Sequence, residues 1–199
     1  MPRSGAQQKL FDTSIRLPTG LIYKPDFITP EEEARLLSYI EDLPLEESQY
    51  GEYQSKRRSL NLGWGYDFEQ KKFIPGPPLP PFLRPVQIRI AKWLDIHPRN
   101  IVEALINEYT TGSALGWHRD NEGFEHVIGL SLGGWARMRF RPLKPRTEKK
   151  NPKDVVTLEL EPRSLYLMQN DIRWNWQHSV AKTKSLRHSI TFRTLPHLT

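Results

Sequence analysis

The last strand-like segment, residues 186–194, constrains the fold more than any other stretch of this 199-residue chain. Side chains alternate along a strand, so Arg187, Ser189, Thr191 and Arg193 share one face and His188, Ile190 and Phe192 share the other. An ordinary half-buried strand would turn Ile190 and Phe192 to the core and leave both arginines in water. The alternative is a strand buried on both faces. Its polar face would then line a barrel-like interior, where a guanidinium holds a small dicarboxylate by paired, charge-assisted hydrogen bonds.

The rest of the pattern is that of a mainly β chain. Segments Val127–Leu132, 135–141, 155–160 and 164–168 alternate as strands between turns. Many short strands with turns indicate a double-sheet jelly roll, the double-stranded β-helix, with helices flanking one side. One helix is predicted from Thr29, which caps it, with Pro30 in the first helical position, Glu32 completing a capping box, and Leu36, Leu37 and Ile40 on the apolar face. A second, over about 85–96, places Val86, Ile90, Trp93 and Leu94 together.

Within that frame, His118 and Asp120 are two residues apart and would point the same way in a strand. With His178 they would form a facial triad of two imidazoles and one carboxylate, the set associated with non-haem Fe(II) oxygenases. Taken alone, His118-Arg119-Asp120 reads equally well as a surface turn. Leu105, Asn107 and Tyr109 share a strand face just before the turn Thr110-Thr111-Gly112-Ser113. The amide and the phenol are either satisfied core groups or donors to a carboxylate. His188 faces away from Arg187 and Arg193, which argues against it as a rival ligand.

Asn107-Glu108-Tyr109, His118-Arg119-Asp120, His178 and the run from Arg187 to Arg193 together resemble the AlkB family of Fe(II)- and 2-oxoglutarate-dependent dioxygenases. The likeness continues more weakly through Arg57 to Tyr66 and Pro78-Leu79-Pro80, which are similar to the family's substrate lid. The resemblance implies iron held by His118, Asp120 and His178, with 2-oxoglutarate and O2 as co-substrates. It implies Arg187 on the far carboxylate of 2-oxoglutarate, and Asn107, Tyr109, Ser189, Thr191 and Arg193 around the rest of it. Many members carry Asn where this chain has Ser189. Arg173 also resembles a position of some eukaryotic members. The activity implied is oxidative demethylation or hydroxylation of modified bases in DNA or RNA, with a protein side chain as the rival substrate and a catalytically inactive nucleic-acid binder as a third reading.

The segment 48–82 is rich in aromatics, glycine and proline and is no simple helix. Arg57, Arg58, Trp64 and Tyr66 are its substrate-binding candidates, basic groups beside aromatic ones as phosphate contact and base stacking require. A loop that merely covers the core would use the same residues. Arg137, Arg139 and Arg141 share a strand face opposite Ala136, Met138 and Phe140, either gripping phosphates or facing solvent. A basic loop at about 142–154 carries Lys144, Arg146, Lys149, Lys150 and Lys153, with the same two readings.

Lys and Arg outnumber Asp and Glu by 29 to 23, and the pI near 9.5 favours a polyanionic partner. With no cysteine, disulfides, zinc-thiolate sites and cysteine nucleophiles are excluded. Residues 1–14 are expected to be a flexible tail ahead of one dioxygenase domain, 15–199. No apolar run suggests a leader or a membrane span, so the cytoplasm or nucleus is expected, and a monomer is expected separately.

Overall fold

In the computed structural model the described residues are 18–50, 53–67, 72–145 and 151–196. The expected tail, 1–14, lies outside them, as do parts of the lid segment and of the basic loop.

Two antiparallel sheets face one another. The larger runs in the order β1 (Leu21–Lys24), β10 (Leu165–Met168), β7 (Val127–Leu132), β12 (Arg187–Thr194), β5 (Ile101–Tyr109), β3 (Tyr53–Asp67) and β2 (Glu46–Tyr50), with β4 (Lys72–Pro75) paired to β3. The smaller runs β6 (Leu115–His118), β11 (Trp176–Val180), β8 (Ala136–Pro142) and β9 (Val156–Leu160). This is the jelly roll expected from the strand pattern.

Helices α1 (Pro30–Glu41) and α2 (Arg84–Leu94) cover the outer face of the larger sheet. Leu36, Ile40, Val86 and Ile90 pack there against Ala104, Ile106, Ile190 and Phe192. The capping box of α1 is present: Glu32 N–H donates to Thr29 Oγ1 at 3.2 Å, and Thr29 N–H donates to Glu32 Oε2 at 2.9 Å. α2 stops before the expected residue 96 because Asp95 takes a left-handed φ of 54° and returns its N–H to the carbonyls of Ala91 and Lys92.

The last strand, β12, lies between β7 and β5 at the centre of the larger sheet, buried on both faces. Ile190 and Phe192 point to the helices. Arg187, Ser189, Thr191 and Arg193 point between the sheets, so the solvent-facing alternative fails. Met138, Phe140, Leu160, Met168 and Val180 fill the rest of that inner layer.

One local expectation needs correcting. β6 ends at His118, so strand alternation does not carry Asp120 into place. The loop after it is held instead by Arg173, whose guanidinium donates to the carbonyls of Asp120, Asn121 and Phe124 at 3.5, 2.5 and 2.7 Å. Arg173 sits on a short helix, α3 (Asn170–Trp174), with no apolar period to announce it. Where it is described, the segment 48–82 is mostly strand, in keeping with its reading as no simple helix. It bends at Gly63, where φ is +85° and a Cβ would stand 2.0 Å from the Val102 carbonyl oxygen.

Candidate active site

Between the sheets opens a cavity of about 820 Å³. Its floor is set by register: β12 pairs Arg187, Ser189, Thr191 and Arg193 with Tyr109, Asn107, Leu105 and Glu103 of β5. Antiparallel partners share a face, so a row of polar groups from two neighbouring strands meets the cavity.

His118, Asp120 and His178 converge at one end. Their ligand atoms all lie within 4.8 Å of one another. His118 Nδ1 is 2.9 Å from the Gly116 carbonyl. A carbonyl only accepts, so Nδ1 carries the proton and Nε2 keeps the lone pair a metal needs. His178 Nε2 faces Asp120 Oδ2 at 3.2 Å, yet Oδ2 is buried with no hydrogen bond. A cation between these groups would satisfy it. Burial pushes the His178 imidazole down to about 3 in spite of Asp120, which leaves it neutral and able to ligate at neutral pH. Burial also works to raise the Asp120 carboxyl, but Arg193, His178 and His118 outweigh it and hold the group well below the usual carboxylate range.

Arg187 stands at the other end, 2% exposed. Its Nε donates to Ser131 Oγ at 3.1 Å, and its guanidinium carbon is 5.0 Å from the centre of the Tyr109 ring. Nη1 is buried without a partner. Burial works against the charge, a penalty that a bound carboxylate would relieve. Iron at the triad and a dicarboxylate reaching to Arg187 therefore fit the residues present.

The other expected residues sort by face. Asn107 accepts a bond from Arg57 Nη1 at 2.8 Å and has Ser189 Oγ 3.5 Å from its Nδ2. Thr191 lines the cavity. Arg193 is engaged at all three nitrogens by Asp120 and Glu103, so it holds a ligand carboxylate rather than reaching toward a co-substrate. Among the four lid candidates, Arg57 and Tyr66 line the cavity and the other two do not. Arg58 alternates to the opposite face, where it grips Glu108 through two bonds of 2.7 and 2.8 Å. Trp64 stands outside, 41% exposed, next to the bend at Gly63.

Sequence reading missed Glu103, Ser131 and Tyr166, all of which line the site or hold it. Glu103 is two residues before Leu105, so alternation along β5 would have found it. Tyr166 is admitted because β7 has Gly129 beneath it: a Cβ there would lie 2.2 Å from the ring.

A chain with this fold and this site is an iron-dependent oxygenase, and residues 20–193 match the family described as the 2OG-Fe(II) oxygenase superfamily. The chain belongs to that superfamily, and it is a dioxygenase that uses Fe(II), 2-oxoglutarate and O2. Two of the relatives below carry AlkB-homologue names. An uncharacterized protein of Acanthamoeba polyphaga mimivirus is 32% identical, over 85% of this chain and 82% of its own length. The alkylated DNA repair protein ALKBH8 homolog of Arabidopsis thaliana is 29% identical over 88% of this chain, which spans 54% of that protein. The tRNA (carboxymethyluridine(34)-5-O)-methyltransferase alkbh8 of Xenopus tropicalis is 29% identical over 84% of this chain, which spans 26% of it. The solved structure of OsALKBH1 shares the fold, with a TM-score of 0.65 and 16% identity over 89% of this chain and 99% of that one.

Proposed function

We propose that this enzyme oxidises a modified base in DNA or RNA, removing an N-methyl group as formaldehyde or leaving a hydroxylated product. His118, Asp120 and His178 hold the iron in this reading, and Arg187 holds the far carboxylate of 2-oxoglutarate. Bound metal and co-substrate supply the oxidising chemistry, coupled to decarboxylation of 2-oxoglutarate. The protein's part is to orient both and to exclude water.

The observation that carries the substrate reading is the aromatic wall at the iron end. Tyr66 meets Phe73 edge to face at 5.3 Å, and Phe73 meets Phe124 at 5.2 Å. Tyr66 and Phe124 both line the cavity. A flipped or single-stranded base is read by stacking between such groups. The names of the Arabidopsis and Xenopus relatives refer to alkylated DNA and to tRNA, and the basic charge of the chain agrees with either.

The test is incubation with methylated DNA and RNA oligomers, tRNA and histone peptides in the presence of Fe(II) and 2-oxoglutarate, followed by mass spectrometry. A mass loss or gain on a nucleic acid, matched by succinate, is the expected result. Succinate formed only with peptides would overturn the reading in favour of a protein side chain, and strand binding without succinate would favour an inactive binder.

A further inference from the structure

The outer face of the smaller sheet carries two arginines that meet no carboxylate among the described residues. On β8, Arg139 and Arg141 alternate with the buried Met138 and Phe140, so both stand on the side away from the cavity. Arg139 Nε donates to Ser179 Oγ at 3.1 Å. Arg141 donates through Nε and Nη2 to Gln177 Oε1 at 3.0 and 2.8 Å. These partners are neutral, and among the described residues neither arginine meets a carboxylate. Elsewhere the contrast is plain: Arg137 on the same face pairs with Glu159 at 2.9 Å, and Arg58, Arg89 and Arg163 each pair with an acid.

Both guanidiniums reach across β11 to Trp117, their central carbons 4.2 Å (Arg141) and 5.2 Å (Arg139) from its ring centre. Stacking of this kind orients the planar fork, and the N–H groups not used by Ser179 or Gln177 suit a phosphate. Trp117 immediately precedes His118 and also borders the cavity. The charged patch thus begins where the active site opens. Past Pro142 the chain continues into Lys144, Arg146, Lys149, Lys150 and Lys153.

We propose that this face is a phosphate track: a single strand of nucleic acid with its target base in the cavity lays its backbone along β8, with phosphates on Arg139 and Arg141. The inference rests on the nucleic-acid reading above and adds to it the path of the strand. A polyanion matches a face whose paired acids lie to one side and whose uncompensated cations lie beside the mouth.

The test is the salt dependence of binding. A fluorescent single-stranded oligonucleotide, as RNA and as DNA, is titrated by anisotropy against the wild-type enzyme and the Arg139→Gln/Arg141→Gln double variant over a series of KCl concentrations. Loss of two contacts lowers the slope of log K against log salt by about 1.4, and each single variant lowers it by about 0.7. Arg139→Lys/Arg141→Lys keeps the charge and should keep most of the slope. An unchanged affinity for 2-oxoglutarate, by calorimetry, shows that the variants are folded, and the single variants serve if the double one is not. Equal slopes in the wild type and the Gln variants would overturn the track while leaving a nucleic-acid substrate in place. Equal displacement of the oligonucleotide by polyglutamate would overturn the assigned occupant. A wild-type enzyme that binds no strand at all, and forms succinate only with peptides, would remove both proposals together.

Discussion

Arg193 binds Asp120 with two nitrogens on one oxygen, Nε at 3.1 Å and Nη2 at 2.5 Å from Oδ1. Its third nitrogen is held by Glu103 Oε2 at 2.8 Å. The carboxylate of Asp120 is therefore fixed in rotation, with Oδ2 turned to His178. Burial disfavours the charge of Arg193, but Asp120 and Glu103 outweigh it and leave the guanidinium more firmly protonated than usual.

That relationship predicts a metal-affinity effect from a residue that touches no metal. Partners of this kind typically change affinity by about 10- to 100-fold. Arg193→Gln should weaken Fe(II) or Co(II) binding by about that factor, as measured by titration, and Arg193→Lys should recover part of it. Wild-type affinity in Arg193→Gln would show that Asp120 needs no such support.

Arg187 should behave in opposite ways with and without co-substrate. Hydrogen bonds to a charged group contribute roughly 1.5–3 kcal/mol, so Arg187→Met should weaken 2-oxoglutarate binding by at least about tenfold. Nη1 is buried and unpaired, and replacing such a charge by an apolar side chain of similar length removes its desolvation cost. The variant should therefore melt higher than the wild type without co-substrate and lose that advantage when 2-oxoglutarate saturates the wild type. Thermal melts under both conditions decide it. A lower melting temperature in both would mean that Arg187 is a structural group.

Much of this site was legible because strands write their faces into the sequence. Arg187 to Arg193 and Asn107 to Tyr109 alternate cleanly, and β12 pairs with β5 in the register that joins them. Asp120 lay beyond that logic, since its position depends on Arg173, a contact 53 residues away that no local pattern encodes. The lid candidates divide between two faces for a related reason. Arg57 and Arg58 are neighbours in sequence, yet alternation sends one to Asn107 inside the cavity and the other to Glu108 outside it. Charge and aromatic content marked the segment but did not give its phase.

Gly129 offers a packing test. A Cβ at this position would fall 2.2 Å from two atoms of the buried Tyr166 ring, and overpacking of this kind costs about 1–3 kcal/mol. Gly129→Ala should lower stability by that amount in urea unfolding. Adding Tyr166→Leu should restore part of the loss, a non-additivity expected only of side chains that touch. Strictly additive effects would place the strain elsewhere.

His188 sets the last expectation, a dependence of stability on pH. Its Nε2 is 3.4 Å from Glu108 Oε2, and Glu108 is itself held by Arg58. Burial pushes the His188 imidazole below its ordinary value of 6.5, against the pull of Glu108. The unfolded chain therefore binds this proton more readily than the folded one. The resulting stability is complete above pH 6.5 and is lost as pH falls from there toward the folded value. His178, pushed down to about 3, adds a second contribution of the same sign in the metal-free enzyme. Each proton taken up on unfolding contributes a slope of at most about 1.4 kcal/mol per pH unit. Denaturant unfolding of the metal-free enzyme between pH 7 and about 5 should show stability falling with pH, with a shallower fall in His188→Gln. The carboxyl of Glu108 is held below its ordinary 4.5 chiefly by its hydrogen bond from Arg58, so its contribution is lost only at lower pH and does not blur that window. A slope unchanged by His188→Gln would mean that burial and Glu108 cancel at this imidazole, and a steeper fall in the variant would mean that His188 is protonated in the folded enzyme, paired with Glu108 as an ion pair.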